Sequence, residues 1–291
     1  MNYRHAFHAG NFADVLKHAV LARILVHLAQ KPAAFRVIDT HAGIGRYDLA
    51  GVQAGKTGEW REGIGRLEAK PLTGEAAPLI EPYVQAIREV RAFHGDAAYP
   101  GSPLIAAALA RAQDRLVFIE KHPEDVRRLT DAVGKDRRAK VIELDGWTAL
   151  NAYVPPPEKR GLVLIDPPFE EPGEFDRMAD RLAKAWSKWR TGIYMAWFPV
   201  KDAAERDAFY EAMQASGIRK ILRIELLREP IARTGDLLAG SGMVIVNPPW
   251  TLMDEMQVLG PALTQVLARK GSGLFRCDWL VEETSHTDQM D

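Results

Sequence analysis

The chain has 291 residues, with 38 Lys and Arg against 39 Asp and Glu, a formal net charge of −1, 47% apolar residues and 26% charged ones. That length suits one large domain or two small ones with a full core, and the balanced charge excludes a protein that holds a polyanion by global attraction, so any such site is a local patch. The single cysteine, Cys277, excludes an intramolecular disulfide and a thiolate metal cluster, which fits a reducing compartment. MNYRHAFHAG has no apolar signal core, and no apolar run approaches the roughly 20 residues needed to span a bilayer. A cytoplasmic protein with no membrane partner is expected. The eight histidines show no ligand spacing with nearby acids, so no metal is expected either.

Tyr3 to Asn11 packs two histidines, an arginine and two aromatic residues into a segment without periodicity. Tyr3 and Arg4 suit stacking on bases and pairing with phosphates, and the competing reading is a cover over the core. The spacing then predicts a helix over Phe12 to Gln30 with a wide apolar face, inside which Lys17 and His18 fall.

Phe35 to Asp39 reads as the first strand and Thr40 to Tyr47 as a glycine-containing turn. Gly43 and Gly45 let the backbone approach a ligand, but Asp48 stands where a dinucleotide fingerprint places its third glycine. Asp39 instead gives Asp-x-x-x-Gly-x-Gly, a spacing typical of loops that bind S-adenosylmethionine. His41 inside it either contacts the ligand or bonds the turn. From Ala50 to about Gly101 the strand rhythm breaks, and a mostly helical insertion with a helix over Ile80 to Arg91 is expected at the binding face. Its basic residues are either a solvated surface or part of a polyanion track.

In YPGSP, Ser102 is placed to N-cap a helix that has Pro103 at its first position. Leu116 to Glu120 reads as the second strand. Glu120 at its mouth is suited to a bidentate grip on ribose hydroxyls, or it is a surface acid opening the next helix. Lys140 to Glu143 is the third strand, and Asp145-Gly146 after it is either an acceptor for an adenine amino group or ordinary turn chemistry.

The stretch Gly161 to Glu170, GLVLIDPPFE, is an apolar strand that ends on an acid, two prolines and a ring. Pro167 and Pro168 cannot continue a ladder, so Asp166 is left at the strand's mouth, where open α/β sheets bind ligands. A strand ending in a plain Pro-Pro turn is the alternative. An acid followed by Pro-Pro and an aromatic residue is the pattern of enzymes that methylate planar nitrogens: the carboxylate and the Pro167 carbonyl accept from an amino group while Phe169 stacks on its ring. A helix over Phe175 to Trp189 and strands at Ile193 to Phe198, Ile218 to Leu226 and Gly242 to Asn247 follow. A second Pro-Pro signature, Asn247 to Trp250, ends an antiparallel strand and is expected at the opposite face as an edge-strand stop. Glu282 to Asp291 reads as a polar tail.

Taken in order, Asp39 to Gly45, Glu120, Asp145-Gly146 and Asp166 to Phe169, together with FHAGN, YPGSP and SGMVIVNPPW, closely resemble the bacterial 23S ribosomal RNA adenine-N6-methyltransferases of the RlmJ type. The resemblance runs from about Tyr3 to Leu280. It implies a class I, Rossmann-like α/β fold with a seven-stranded sheet, an antiparallel last strand and a helical insertion. The expected domains are a methyltransferase domain over 1–49 and 102–281, with an N-terminal lip over 1–30, an insertion over 50–101 and a tail over 282–291. It also implies S-adenosylmethionine contacts from His18, His41, Ser102, Glu120, Asp145, Gly146 and Asp166, which join Gly43 of the glycine turn, with Asp166 as proton acceptor beside Pro167 and Phe169. Tyr3, joined by Arg4, is the implied RNA contact, and the expected partner is protein-free or early precursor 23S rRNA bound by a monomer. Competing readings are a DNA-adenine or glutamine-amide methyltransferase and a noncatalytic RNA-binding module with the same fold.

Overall fold

The computed structural model describes residues 5–231, 238–269 and 272–283. A short turn of helix at His5–Phe7 leads into α1 (Phe12–Ala29), N-capped by Asn11, whose side-chain oxygen accepts from Asp14 N. Then come β1 (Arg36–Asp39), β2 (Arg46–Asp48), α2 (Val52–Thr57), α3 (Ile64–Ala69), α4 (Ala76–His94), β3 (Ala98–Pro100), α5 (Ser102–Leu109) and β4 (Arg115–Glu120). The chain continues through α6 (Pro123–Val133), β5 (Ala139–Glu143), α7 (Gly146–Tyr153), β6 (Gly161–Ile165), α8 (Glu174–Lys188), β7 (Ile193–Val200), α9 (Ala203–Ala215) and β8 (Ile221–Leu227). It closes with β9 (Gly240–Val246), α10 (Leu252–Leu267) and β10 (Leu274–Val281).

Among the described residues eight strands form one sheet, in the order β10-β8-β9-β7-β6-β1-β4-β5. The five strands from β7 to β5 run parallel, and β9 is antiparallel to both β7 and β8. Every residue of β6 is buried, because helices cover both faces of a central parallel strand. Val37, Leu162 and Leu164 pack toward α1, α5 and α10, whereas Ile38, Val163 and Ile165 pack toward α7, α8 and α9, giving three layers. Helix α1 is buried nearly all round, so its polar residues Asp14, Lys17, His18 and Arg23 lie inside the protein.

The stretch between β2 and β3 is mainly helical, and these two strands pair with each other, so the chain returns to the point at which it left the sheet layer. The helix expected over Ile80 to Arg91 extends over Ala76–His94. The eighth strand corrects the expected seven: β10 pairs antiparallel with β8 and covers that edge of the sheet. Strand β9 is accordingly internal, not an edge, and Asn247 after it is a staple, donating from Nδ2 to the carbonyls of Arg190 and Gly192 at 2.7 and 2.8 Å. Tyr194 pairs with Val246, which puts Asn247 beside the entrance of β7, at the end of the sheet opposite Asp166. No helix of the described residues is long and apolar enough to cross a membrane.

Candidate active site

The parallel strands all end on one side of the sheet, and four of the five deliver an acid there: Asp39 from β1, Glu120 from β4, Asp145 after β5 and Asp166 after β6. Glu120, Asp145 and Asp166 line a cavity of about 340 Å³, within the range of about 300–1,000 Å³ usual for small-ligand sites, whereas Asp39 is buried behind Ser102. His18, His41, Gly43, Ser102 and Gly146 line the same cavity, so the sequence-named cofactor residues come together in one place.

Close backbone approach shapes this cavity. A Cβ on Gly146 would lie 2.3 Å from the Thr40 carbonyl oxygen, and Thr40 is itself fixed by bonds from its N and Oγ1 to the Leu164 carbonyl. Gly43 has φ +60 and donates its N–H to Glu120 Oε2 at 3.0 Å. Lys121 N and His122 N donate to Glu120 Oε1 at 2.7 and 2.9 Å, so three of the carboxylate's about four acceptor positions are filled. Glu120 is therefore neither a loose surface acid nor fully open, and a two-hydroxyl grip requires the Gly43 N–H to let go. Asp145 caps α7 by accepting from Thr148 N and Oγ1 with Oδ1, which leaves Oδ2 without a protein partner among the described residues.

Ser102 is not a helix cap: Gly101 takes that position, and the Ser102 hydroxyl instead donates to Asp39 Oδ2 at 2.6 Å. Burial pushes the Asp39 carboxyl up to about 7, opposed by the Ser102 bond and reinforced by the charge of Asp166. His41 shares a 2.9 Å bond between Nδ1 and Thr40 Oγ1 and stands edge-on to Trp147. Burial brings its imidazole down to about 4, against the pull of Asp166 and Asp145. His18 Nδ1 lies 2.9 Å from the Tyr99 hydroxyl, which is bonded in turn to Tyr83, and burial brings this imidazole down to about 3. Both rings are neutral near pH 7.

A second cavity of about 400 Å³ adjoins the first, and Asp166, Lys17, His5 and Pro168 line both. Asp166 is held at this shared wall by Lys17, whose Nζ lies 2.5 Å from Asp166 Oδ2 and 2.9 Å from Asp14 Oδ1. Burial opposes the Lys17 charge, but the two carboxylates outweigh it and hold the ammonium well above the ordinary lysine range. Burial likewise opposes ionisation of Asp14, yet His5 and Lys17 hold its carboxyl well below the usual range. Lys17 engages only Oδ2, so Asp166 Oδ1 has no protein partner among the described residues. Phe169, at φ +51, lines the second cavity with its ring 6.0 Å from Trp197 and nearly perpendicular to it, and Lys17 Nζ sits 5.7 Å from the Trp197 ring centre. Pro167 lines the first cavity. Tyr3 and Arg4 lie outside the described residues.

Sequence reasoning missed Lys17, Asp14 and Trp197. A lysine at the i+3 position from an acid within an apolar helical pattern is the signal that was available for the first two; Trp197 inside an apolar strand offered none. Among the described residues no group of three or more His, Cys, Asp or Glu side chains is placed to hold a metal ion.

The sheet order, with its antiparallel β9 inserted between β7 and β8 and its row of acids at the strand ends, defines a Rossmann-like methyltransferase. Residues 32–281 match the family described as ribosomal RNA large subunit methyltransferase D, RlmJ. The chain is 41% identical to the ribosomal RNA large subunit methyltransferase J of Haemophilus influenzae over 97% of its own length and 100% of that protein's. It is 40% identical to the Escherichia coli protein of the same description over the same shares. A crystal structure of a Legionella pneumophila protein superposes with a TM-score of 0.82 at 34% identity, covering 93% of this chain and 98% of that one. The chain belongs to the RlmJ family and is an enzyme of the methyltransferase class.

Proposed function

We propose that the enzyme transfers a methyl group from S-adenosylmethionine to N6 of one adenine in 23S rRNA, with the donor in the 340 Å³ cavity and the adenine in the 400 Å³ cavity. The observation that carries this reading is that Asp166 lines both cavities and has one carboxylate oxygen fixed by Lys17 and the other without a partner among the described residues. The two curated relatives are described as large-subunit rRNA methyltransferases, which favours rRNA over DNA or a protein amide as acceptor. We read residues 50–101 as an insertion subdomain within a methyltransferase domain of 1–49 and 102–281. The substrate is protein-free or early precursor rRNA met by a monomer in the cytoplasm.

The donor cavity fits the cofactor in three ways. Gly146 lets the start of α7 close against the Thr40 carbonyl and the His41 ring at the cavity wall, Asp145 Oδ2 is open to an amino donor, and Glu120 keeps one position for a hydroxyl. S-adenosylmethionine supplies, when bound, a methyl group already activated by sulfonium charge. The chain's own residues orient and exclude. Asp166 Oδ1 and the Pro167 carbonyl would accept from the adenine amino group, turning its lone pair out of conjugation, and Phe169 with Trp197 would hold the base face. Entry of the base into the cavity requires unstacking it from the RNA, at a cost of about a few kcal/mol. Asp166 accepts the proton once the nitrogen carries positive charge, and Lys17 holds the carboxylate oriented until then.

Replacing Asp166 with Asn tests the reading. Tritium transfer from labelled cofactor to protein-free 23S rRNA should fall by about 10²–10⁴-fold, with cofactor affinity in calorimetry changed much less. Near-normal turnover would remove Asp166 from the chemistry. Label entering duplex DNA or a release-factor protein in preference to rRNA, or a methylated nucleoside other than N6-methyladenosine, would overturn the substrate assignment.

A further inference from the structure

Arg228, immediately after β8, is a buried cation without an adequate counter-charge among the described residues. Its side chain is 6% exposed, its guanidinium lies over the Phe12 ring at 4.7 Å, and its nearest carboxylate, Glu62, is 3.5 Å from Nη2. Glu62 is already engaged by Arg66 at 2.5 Å. Arg228 Nε is buried with no partner among the described residues. A guanidinium has five N–H donors, and leaving such a group buried and underpaired is costly unless something else completes it.

The guanidinium borders the acceptor-side cavity. Arg228 lines it, as do Arg269 and the exposed Lys201. Five carboxylates line the same cavity and each has a partner: Glu59 is bonded to His8 and Asn11, Glu229 to Arg269, Asp14 and one oxygen of Asp166 to Lys17, and Glu170 is engaged as well. Burial and the charge of Arg269 both press the Arg228 guanidinium down, with Glu229 and Glu62 only partly opposing them. The backbone on either side is fixed, since Arg228 N donates to the Ala239 carbonyl and the Arg228 carbonyl accepts from Arg269 N. The fork is thus held ready, stacked on an aromatic face, beside the place a base would enter.

We propose that Arg228, with Arg269 and Lys201 at the rim, is the seat for a backbone phosphate of the RNA next to the acceptor nucleotide. The inference rests on the reading of the second cavity as the acceptor site and adds the element that sets the strand's position in it. A phosphate placed there accepts from the guanidinium's cavity-facing donors and offsets the burial of its charge. Such a contact fixes register and carries no base preference.

The test compares full-length wild type with Arg228→Met, which keeps much of the apolar stem over Phe12, and Arg228→Lys, which keeps the charge without the fork. Filter binding of protein-free 23S rRNA and its methylation kinetics are measured across a salt series, with S-adenosylmethionine affinity followed by calorimetry. Arg228→Met should weaken rRNA binding and raise KM for rRNA about tenfold, with kcat and cofactor affinity within about twofold, and the salt slope should become shallower by about one. Arg228→Lys should restore the slope but only part of the affinity. Unchanged RNA affinity and slope in Arg228→Met, whatever its thermal stability, would overturn the seat and leave Arg228 as a brace for Phe12. If the wild type transfers no methyl to rRNA, the proposed function fails on its own account, while the binding comparison still decides the role of Arg228.

Discussion

Lys17 Nζ and Asp166 Oδ2 lie 2.5 Å apart although 149 residues separate them in the chain, and the lysine simultaneously contacts Asp14. Helix α1 thereby reaches across the sheet end and fixes the carboxylate that both cavities share.

Among the described residues, removing the cation from this triad leaves Asp14 buried with the His5 ring at 2.9 Å and the His18 ring at 4.0 Å. Lys17→Met is expected to destabilise the protein by about 3 kcal/mol in urea unfolding, the scale for breaking a buried pair. Adding Asp14→Asn should recover part of that loss. Strictly additive single and double changes would show that the two side chains are not energetically coupled.

The two glycines of the donor cavity differ in what a methyl group would strike. At Gly146 the obstacle is the Thr40 carbonyl at 2.3 Å, part of a backbone already tied to β6, whereas at Gly43 it is the tip of the Tyr47 side chain at 2.5 Å. Gly43→Ala should cost mainly the left-handed backbone strain, about 1–2 kcal/mol. Gly146→Ala should lower the thermal midpoint further and weaken S-adenosylmethionine binding in calorimetry by more than about tenfold, a factor worth about 1.4 kcal/mol. Equal effects at both positions would contradict the cavity geometry.

His18 and Asp39 bend the pH profile of stability in opposite directions. The imidazole, at about 3 in the folded protein and 6.5 unperturbed, binds its proton more readily when unfolded. Its contribution is complete above about pH 6.5 and is lost as pH falls toward 3. The Asp39 carboxyl, at about 7 folded against 3.8 unperturbed, contributes fully below about pH 4 and loses that contribution as pH rises through 7. His18→Gln should flatten the acid limb measured by urea unfolding, and Asp39→Asn the limb between pH 4 and 7. A His18 ring resonance titrating near pH 6.5 would refute its burial as a neutral side chain.

The strands that carry the site were legible because a parallel strand covered on both faces spells an unbroken apolar run, as in GLVLI before Asp166. Strand β10 was not, because it lies at the sheet edge and alternates Arg276 and Asp278 with half-buried neighbours, which reads as loop. Ser102 looked like a cap by position alone, but Gly101 fills that position and the hydroxyl turns to an acid 63 residues earlier. Lys17 was visible as a polar residue in an apolar helix, yet its principal partner lies in a distant loop, and nothing local names such a partner. Asn247 repeats the Pro-Pro wording of Asp166, and only the direction of its strand tells the two apart.

The single partition between the two cavities carries a thermodynamic obligation. A guest on either side of the Lys17–Asp166 pair changes the hydration and electrostatic field that a guest on the other side encounters, so the two occupancies are linked. By reciprocity, in the proposed assignment, whatever factor a loaded donor chamber applies to RNA affinity, bound RNA must apply to the donor, and a spent donor that has surrendered its positive charge will apply a different one.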